Sequence, residues 1–323
     1  MIHEAETRNL FKRVLVTGAS GFVANCAVRR LLNENCDVHI LLRDEAKMWR
    51  LSDIQDRLHI HRANIIDAAA VRSVMQAAAP EVVLHLAAYG AYEAQAEARH
   101  ILETNILGAY NVLEASIAAK VRLFINTGSS SEYGYRNEAM QESDRVIPNS
   151  VYAVAKAAQT HLCGLLAQSG EMAVVTFRLF SVYGPWEEPA RLFPTILQRA
   201  RAGLRLEMVS PDTVRDFIYV EDVLDALLNF DALTRMKGEV FNLGSGRQST
   251  MRDVVAAVQA AVGDRSEVRW GGMKARRWDS TCWQADISKA RTELGWEPKI
   301  SLLDGVQRMA EWIEQAGDAY THG

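Results

Sequence analysis

The sequence predicts an α/β fold, a doubly wound parallel sheet with a smaller α/β lobe toward the C-terminal end. Three observations predict it. Short apolar, β-branched runs recur between longer helix-period segments, the alternation from which parallel sheets are built. A glycine-rich turn follows the first run at once and opens a helix. The 323 residues, 49% hydrophobic and 24% charged, are enough to bury a sizeable core.

Taken in order, Val14-Leu15-Val16 reads as a buried strand. Thr17-Gly18-Ala19-Ser20-Gly21-Phe22-Val23-Ala24 follows, and then Val28, Leu31 and Leu32 at helical spacing. Strand, glycine turn and helix form the phosphate-binding opening of a dinucleotide site. Gly18 permits the tight turn, Gly21 lets backbone approach a pyrophosphate, and the helix N-terminus supplies free N–H groups and a positive dipole end. Ser20, Phe22 and Val23 lie in the same turn and are candidate cofactor contacts. Ala24 lets helix and strand pack closely. Residues 37–42 form the second strand, whose end should meet an adenosine ribose. Arg43 there favours NADP(H), because its cation attracts a 2′-phosphate. NAD(H) stays open, with Asp44 taking the 2′-hydroxyl.

Residues 58–60 are a third strand, with Asn64 and Ile65 beyond it and Asp67 capping a helix over 68–79. Residues 82–88 are a fourth strand ending in Leu86 and the small Ala87 and Ala88, which allow close cofactor approach; Tyr89 follows. His85, inside this apolar strand, reads as a packed core residue. Residues 101–119 form an amphipathic helix carrying Asn105, and 123–127 a fifth strand with the serine run after it. Ligands of open α/β sheets bind outside the carboxyl ends of the strands, so Gly18, Ala87 and Ser129 converge on one edge. Tyr152 and Lys156 come next, four apart on one helix face. An ammonium held near a phenol lowers its pKa from about 10. A serine hydroxyl can then hold a substrate oxygen beside it, which assembles the parts for moving a proton while hydride moves elsewhere.

Residues 174–178 are a sixth strand. Past Gly184-Pro185 the sequence predicts helices over about 193–202, 223–233 and 251–262, a short strand over 240–243, and a last helix from Leu302. No linker composition or repeat intervenes. Residues 1–180, with about 212–248, are assigned to the dinucleotide-binding domain, and 181–211 with 249–323 to the second lobe.

Composition narrows the partners. A net charge of -4 without a dense basic run gives no case for nucleic acid. No apolar run approaches the roughly 18 residues of a membrane span. Cys26, Cys36, Cys163 and Cys282 lack a Cys-x-x-Cys spacing, which argues against a zinc site or disulfide framework and fits a reducing compartment. The first 13 residues lack the apolar core of a signal peptide. The expectation is a soluble cytoplasmic protein with no metal and no membrane partner.

With these motifs in this order, the chain resembles the extended short-chain dehydrogenase/reductase family, in particular its nucleotide-sugar epimerase, dehydratase and reductase members. The resemblance rests on residues 17–24 and 85–88, the Ser129 region, Tyr152 with Lys156, and Tyr183-Gly184-Pro185. It continues through Arg215-Asp216-Phe217, Asn242-Leu243-Gly244 and Leu294-Gly295-Trp296. It implies a Rossmann domain with a smaller lobe, a nucleotide-diphosphate sugar between them, and a homodimer formed through the helices near 101–119 and 152–166. By position it implies that Tyr152 is the general acid/base, that Lys156 lowers its pKa and holds the nicotinamide ribose, and that Ser129 or Ser130 bonds the sugar oxygen. Thr127, Asn105, Asn64 and Ile65 join the implied cofactor site. Tyr89, Ser131, Glu132, Ser181, Arg215 and Arg276 join the substrate site, the two arginines on the diphosphate.

The departures are informative. Dehydratases of this group follow the hydroxyl residue with an acidic pair; here Ser130 and Ser131 stand there, with only Glu132 near. Asn64 replaces an adenine-contacting Asp, and Ser181 an Asn. The run Gly128 to Gly134 resembles reductases of nucleotide-linked 4-keto-6-deoxyhexoses. The expectation is an NADP(H)-dependent reductase of that kind. A 4-epimerase with tightly bound NAD is the alternative, with a dehydratase or a non-catalytic dinucleotide sensor behind it. Which of Ser129, Ser130 and Glu132 faces the sugar decides among them.

Overall fold

Seven apolar runs pair as parallel strands: β1 (Arg13–Thr17), β2 (Asp37–Leu42), β3 (His59–Arg62), β4 (Val82–His85), β5 (Leu123–Ser129), β6 (Ala173–Leu179) and β7 (Val240–Leu243). Their order is β7-β6-β5-β4-β1-β2-β3 in a computed structural model that describes residues 11–92, 94–168, 170–263, 266–273, 282–317 and 320. Alternation along each strand sends side chains to two cores. Val14, Val16, Ile40 and Leu84 pack with Val28 and Leu31 of α1 (Phe22–Asn33). Leu15, Leu41, Val83 and Phe124 pack on the other face with Val71 and Met75 of α2 (Ala68–Ala78). Burial on both faces explains the near-continuous apolar runs, and each fully buried Val or Leu contributes about 1.5–3 kcal/mol. Asp67 caps α2 by accepting from Ala69 N and Ala70 N. Among the described residues no helix is long and apolar enough to cross a membrane.

The helix expected over 101–119 is interrupted. It runs as α3 (Ala98–Leu102), a π-helical stretch Glu103–Gly108 and α4 (Ala109–Ala118). The wider turn brings Gly108 against Ile65, where a Cβ would lie 2.6 Å from that side chain. The segment 213–220 also divides. Val214–Arg215 pairs antiparallel with Ser249–Thr250, whereas Phe217–Tyr219 pairs parallel with Ser181–Tyr183. Asp216 between them turns inward and accepts from Ser245 N, Ser245 Oγ, Gly246 N and Ala285 N at 2.6–3.1 Å. The helix expected over 223–233 is two helices, Val220–Leu227 and Phe230–Leu233. A separate apolar core joins Phe193, Leu197, Phe217, Val254, Val258 and Met309 beyond the sheet.

The end of β5 is fixed by a buried ion pair. Ser129 N donates to Glu132 Oε1 at 2.7 Å and the Ser129 hydroxyl caps the short 3₁₀ turn Ser130–Tyr133. Glu132 also accepts from Arg178 Nε of β6 at 2.9 Å and from Thr160 Oγ1 at 3.1 Å. Arg178 Nη1 reaches the Tyr133 hydroxyl, which in turn donates to Asn242 Oδ1 of β7 at 2.7 Å. Glu132 is fully buried and Arg178 nearly so. Glu132→Gln leaves a buried guanidinium without its countercharge. Urea denaturation should show a loss of about 3 kcal/mol, most of it recovered in the double variant Glu132→Leu/Arg178→Met; an unchanged midpoint in the single variant would contradict this account.

Candidate active site

Three strand ends meet at the carboxyl edge of the sheet. Gly18 adopts φ +73°, and a Cβ there would lie 2.7 Å from Ala87 Cα and N. Only glycine therefore fits both the left-handed turn and the contact with the end of β4. Thr17 Oγ1 accepts from Ala87 N at 3.2 Å and lies 2.9 Å from His85 Nδ1. His85 is fully buried, and burial pulls its pKa down to about 3, so the ring is neutral. It is the packed core residue that its strand predicts. Helix α1 starts just past Gly21, with no capping side chain and no acid in its first turn. Such an N-terminus has N–H groups and dipole to offer an anion. Ser20, Gly21, Phe22 and Val23 around it are half-buried.

At the end of β2, Arg43 and Asp44 are both exposed. Arg62 Nη1 donates to Arg43 O at 2.8 Å, which sets its guanidinium against the backbone at the end of this strand. Asn64 is exposed and its Oδ1 accepts from Ile66 N, while Ile65 is buried. Leu86 and Ala87 are half-buried and Ala88 is exposed.

Tyr152 opens helix α5 (Val151–Ala167), whose N-terminus is capped by Ser150 Oγ accepting from Ala153 N. The Ser129 side chain acts on the Tyr152 phenol, favouring its ionised form. Ser129 Oγ also lies 2.5 Å from Ser131 Oγ, whereas Ser130 is buried. Burial pushes the phenol up to about 12; Ser129 and Arg191 act to lower it, Glu132 and Tyr92 to raise it. Burial thus outweighs the groups that favour the phenolate, and the phenol lies above rather than below its ordinary value. The Lys156 amine is buried and turned to the Thr127 carbonyl oxygen and to Gln159 Oε1, 2.7 Å away. Desolvation lowers its own pKa to about 8, against the pull of Glu132.

Two further expectations change. Glu132, placed with the substrate by sequence, has its carboxylate turned into the core onto Arg178, Thr160 and the Ser129 amide. Asn105, placed with the cofactor, is fully buried; its Oδ1 accepts from Tyr89 N and its Nδ2 donates to Tyr89 O and Ile101 O. With its donors and acceptor engaged, Asn105 shapes the loop carrying Tyr89. Ser181 N donates to Asp216 O, which joins Ser181 to the strand of Arg215. The Arg215 guanidinium lies 5.5 Å from the Trp283 ring centroid. Arg276 lies outside the described residues.

Sequence reasoning missed a charged wall. Arg50 is buried and ties the glycine turn to the segment 186–188, donating to Ser20 O, Trp186 O and Glu188 Oε2 at 2.7–3.0 Å. Glu187 is buried, its pKa pushed up to about 8 by desolvation, with Arg191 Nε 3.7 Å away. Arg191 also lies over the Tyr92 ring, 5.5 Å from its centroid. The available signal was an arginine set in Met48-Trp49-Arg50-Leu51 and the acids directly after Gly184-Pro185-Trp186.

A family profile, the NAD dependent epimerase/dehydratase family, matches residues 14–244. The dTDP-glucose 4,6-dehydratase of Shigella flexneri is 26% identical over 93% of this chain and 92% of that protein. The UDP-glucose 4-epimerase of Thermotoga maritima, solved with UDP-glucose, superposes with a TM-score of 0.85 at 27% identity, covering 94% of this chain and 99% of that one. The Thermus thermophilus UDP-glucose 4-epimerase, solved with NAD, gives 0.83 at 27% identity, covering 94% and 100%. The glycine turn, the Ser129–Tyr152–Lys156 group and these likenesses agree: the chain belongs to the NAD dependent epimerase/dehydratase family, the nucleotide-sugar branch of the extended short-chain dehydrogenases/reductases.

Proposed function

We propose that this enzyme reduces a nucleotide-linked 4-keto-6-deoxyhexose with NADPH, Tyr152 giving a proton to the sugar oxygen. One observation carries the reading. The Glu132 carboxylate faces inward to Arg178, away from the side on which Ser129 acts on the Tyr152 phenol. Removing water from a sugar needs a further acid and base beside that pair. Ser130 and Ser131 stand where such groups would be, and the nearby carboxylate is engaged elsewhere. A hydride-transfer reaction without elimination fits these residues better than a dehydratase does.

The residues fit a nicotinamide dinucleotide: Gly18 packed on Ala87 leaves an uncapped, acid-free helix N-terminus for a pyrophosphate. When bound, the cofactor supplies or accepts the hydride. Gly18, Ser20, Gly21, Phe22 and Val23 surround its phosphates. Arg43 takes the ribose 2′-phosphate, and Asn64 with Ile65 meets the adenine. Leu86, Ala87, Ala88 and Thr127 lie along its path, and Lys156 holds the nicotinamide ribose. On the sugar nucleotide, Tyr89, Ser131, Ser181, Arg215 and Arg276 provide the contacts. Ser129 holds the reacting oxygen. A phenol pushed up to about 12 is fully protonated at neutral pH, which suits a proton donor in the reducing direction.

The second reading, a 4-epimerase with retained NAD, is favoured by the two epimerase structures and by Asp44 standing exposed beside Arg43. The enzyme also pairs as a homodimer in this proposal. Leu107 on the π-helical stretch is 52% exposed, and Val154 and Leu165 on α5 are 46% and 62% exposed. These are apolar side chains at the helices that the family packs together.

The distinguishing measurement is the nucleotide released on denaturation, followed by binding of NADPH and NADH. The reductase reading expects little bound nucleotide and tighter NADPH binding, with Arg43→Ala removing about tenfold of the preference or more. Stoichiometric NAD would overturn it in favour of the epimerase. Tyr152→Phe should lower turnover of the 4-keto sugar nucleotide by about 10²–10⁴-fold with cofactor binding kept; full turnover would sink the role of the phenol. Lys156 gives a pH test. Its folded pKa of about 8 lies below its ordinary 10.5, so below pH 8 the fold bears the cost of a buried charge. Stability relative to a Lys156→Met variant should rise between about pH 8 and 10, as the unfolded chain holds the extra proton. Leu165→Glu should convert a dimer to monomer in light scattering.

A further inference from the structure

Four side chains of β2 and β3 gather away from the cofactor edge. Alternation puts Asp37, His39 and Leu41 on one face of β2, and the parallel register sets His39 opposite His59 and Leu41 opposite His61. His39 is 7% exposed, and its ring stacks on His59 at 4.5 Å and on His61 at 5.2 Å. His59 Nε2 lies 3.0 Å from Asp37 Oδ1, and His39 Nε2 lies 3.4 Å from Asp37 Oδ2. Arg13 Nε also bonds Oδ2, at 3.2 Å, which leaves Oδ1 as the freer oxygen. One ligand atom each from Asp37, His39 and His59 lies within 4.8 Å of the others.

We propose that Asp37, His39 and His59 form a binding site for a divalent first-row transition metal of the Zn²⁺ type. Two imidazoles, a carboxylate and water make a four-coordinate shell that suits Zn²⁺, Co²⁺ or Ni²⁺ rather than Mg²⁺ or Ca²⁺. A tetrahedral ion with arms of about 2.0 Å separates its ligands by about 3.3 Å. His59 Nε2 and Asp37 Oδ1, at 3.0 Å, lie near that value; His39 Nε2 faces the other carboxylate oxygen at 3.4 Å, so the stacked rings turn slightly to face one ion. His39 Nδ1 lies 2.9 Å from His61 Nε2. With His39 Nδ1 as the donor across that contact, His39 Nε2 is left bare toward the other two ligands; this is the supporting hydrogen bond that metal-bound histidines use.

The site is not part of the hydride chemistry. The register runs from Arg13↔Asp37 through Leu15↔His39 to Thr17↔Leu41, so the cluster lies two to four residues, about 7–13 Å, back along the strand from Thr17. An ion there links β2 to the edge strand β3, three of whose four residues are exposed. Edge strands need such protection against pairing with other chains. The bound ion is a clamp on the fold, not a reactant.

The test uses the untagged full chain, stripped with chelator and titrated with ZnCl₂ by calorimetry, with MgCl₂ alongside. One equivalent of Zn²⁺ should bind and raise the melting temperature, and Mg²⁺ should not. His59→Ala and Asp37→Asn should each weaken Zn²⁺ binding by about tenfold or more and abolish the thermal shift. His59 is exposed, so its variant keeps the fold, and circular dichroism checks this. Cys36→Ser should leave affinity unchanged, because Cys36 packs with the core on the opposite face from Asp37. Absence of saturable Zn²⁺ binding, equal affinity in the His59 and Asp37 variants, or loss of binding on Cys36→Ser would each overturn the proposal.

Discussion

The Glu132–Arg178 ion pair holds the site in register. A carboxylate and a guanidinium taken out of water are costly unless each is paired and hydrogen-bonded, and here both are. Glu132 must lie inward to meet Arg178, and its bond to the Ser129 amide then fixes the direction in which the Ser129 hydroxyl leaves the strand. The pair extends through Tyr133 to Asn242, so β5, β6 and β7 share one buried polar network. Such a network tolerates little drift, because every unpaired member would bear its full desolvation cost.

The same carboxylate acts on both titrating groups of the site. It favours the charged form of Lys156 and disfavours ionisation of Tyr152. Burial works against charge at both positions. An amine pulled down to about 8 and a phenol pushed up to about 12 have moved apart, so at neutral pH the phenol keeps its proton and the amine still carries its charge. Proton position in this site is thus set by packing as much as by charge.

Much of this was legible in the chain. Strand and helix periods gave the sheet, and Tyr152 with Lys156 was visible as a helix spacing. Asp67 and the glycine turn announced their own local geometry. What could not be read depends on partners distant in sequence. Glu132 looked available to a substrate because nothing near it signalled Arg178, 46 residues on. Asn105 looked like a ligand contact because the π-helical turn that buries it is not a feature of periodicity. Asp37, His39, His59 and His61 became neighbours only through the β2–β3 register, which no local pattern states. Local rules reported the elements, and tertiary pairing decided which polar groups were left free.

The contact between Gly18 and Ala87 has a consequence for synthesis. Strand, glycine turn and first helix are complete by residue 33, yet the wall against which the turn rests belongs to β4, and Thr17 bonds Ala87 across 70 residues. A nascent chain carrying only the glycine signature lacks a nucleotide cradle. Competence arrives when β4 slots against β1, with β2 and β3 already on the opposite side. Assembly of the cradle is thereby coupled to completion of the sheet.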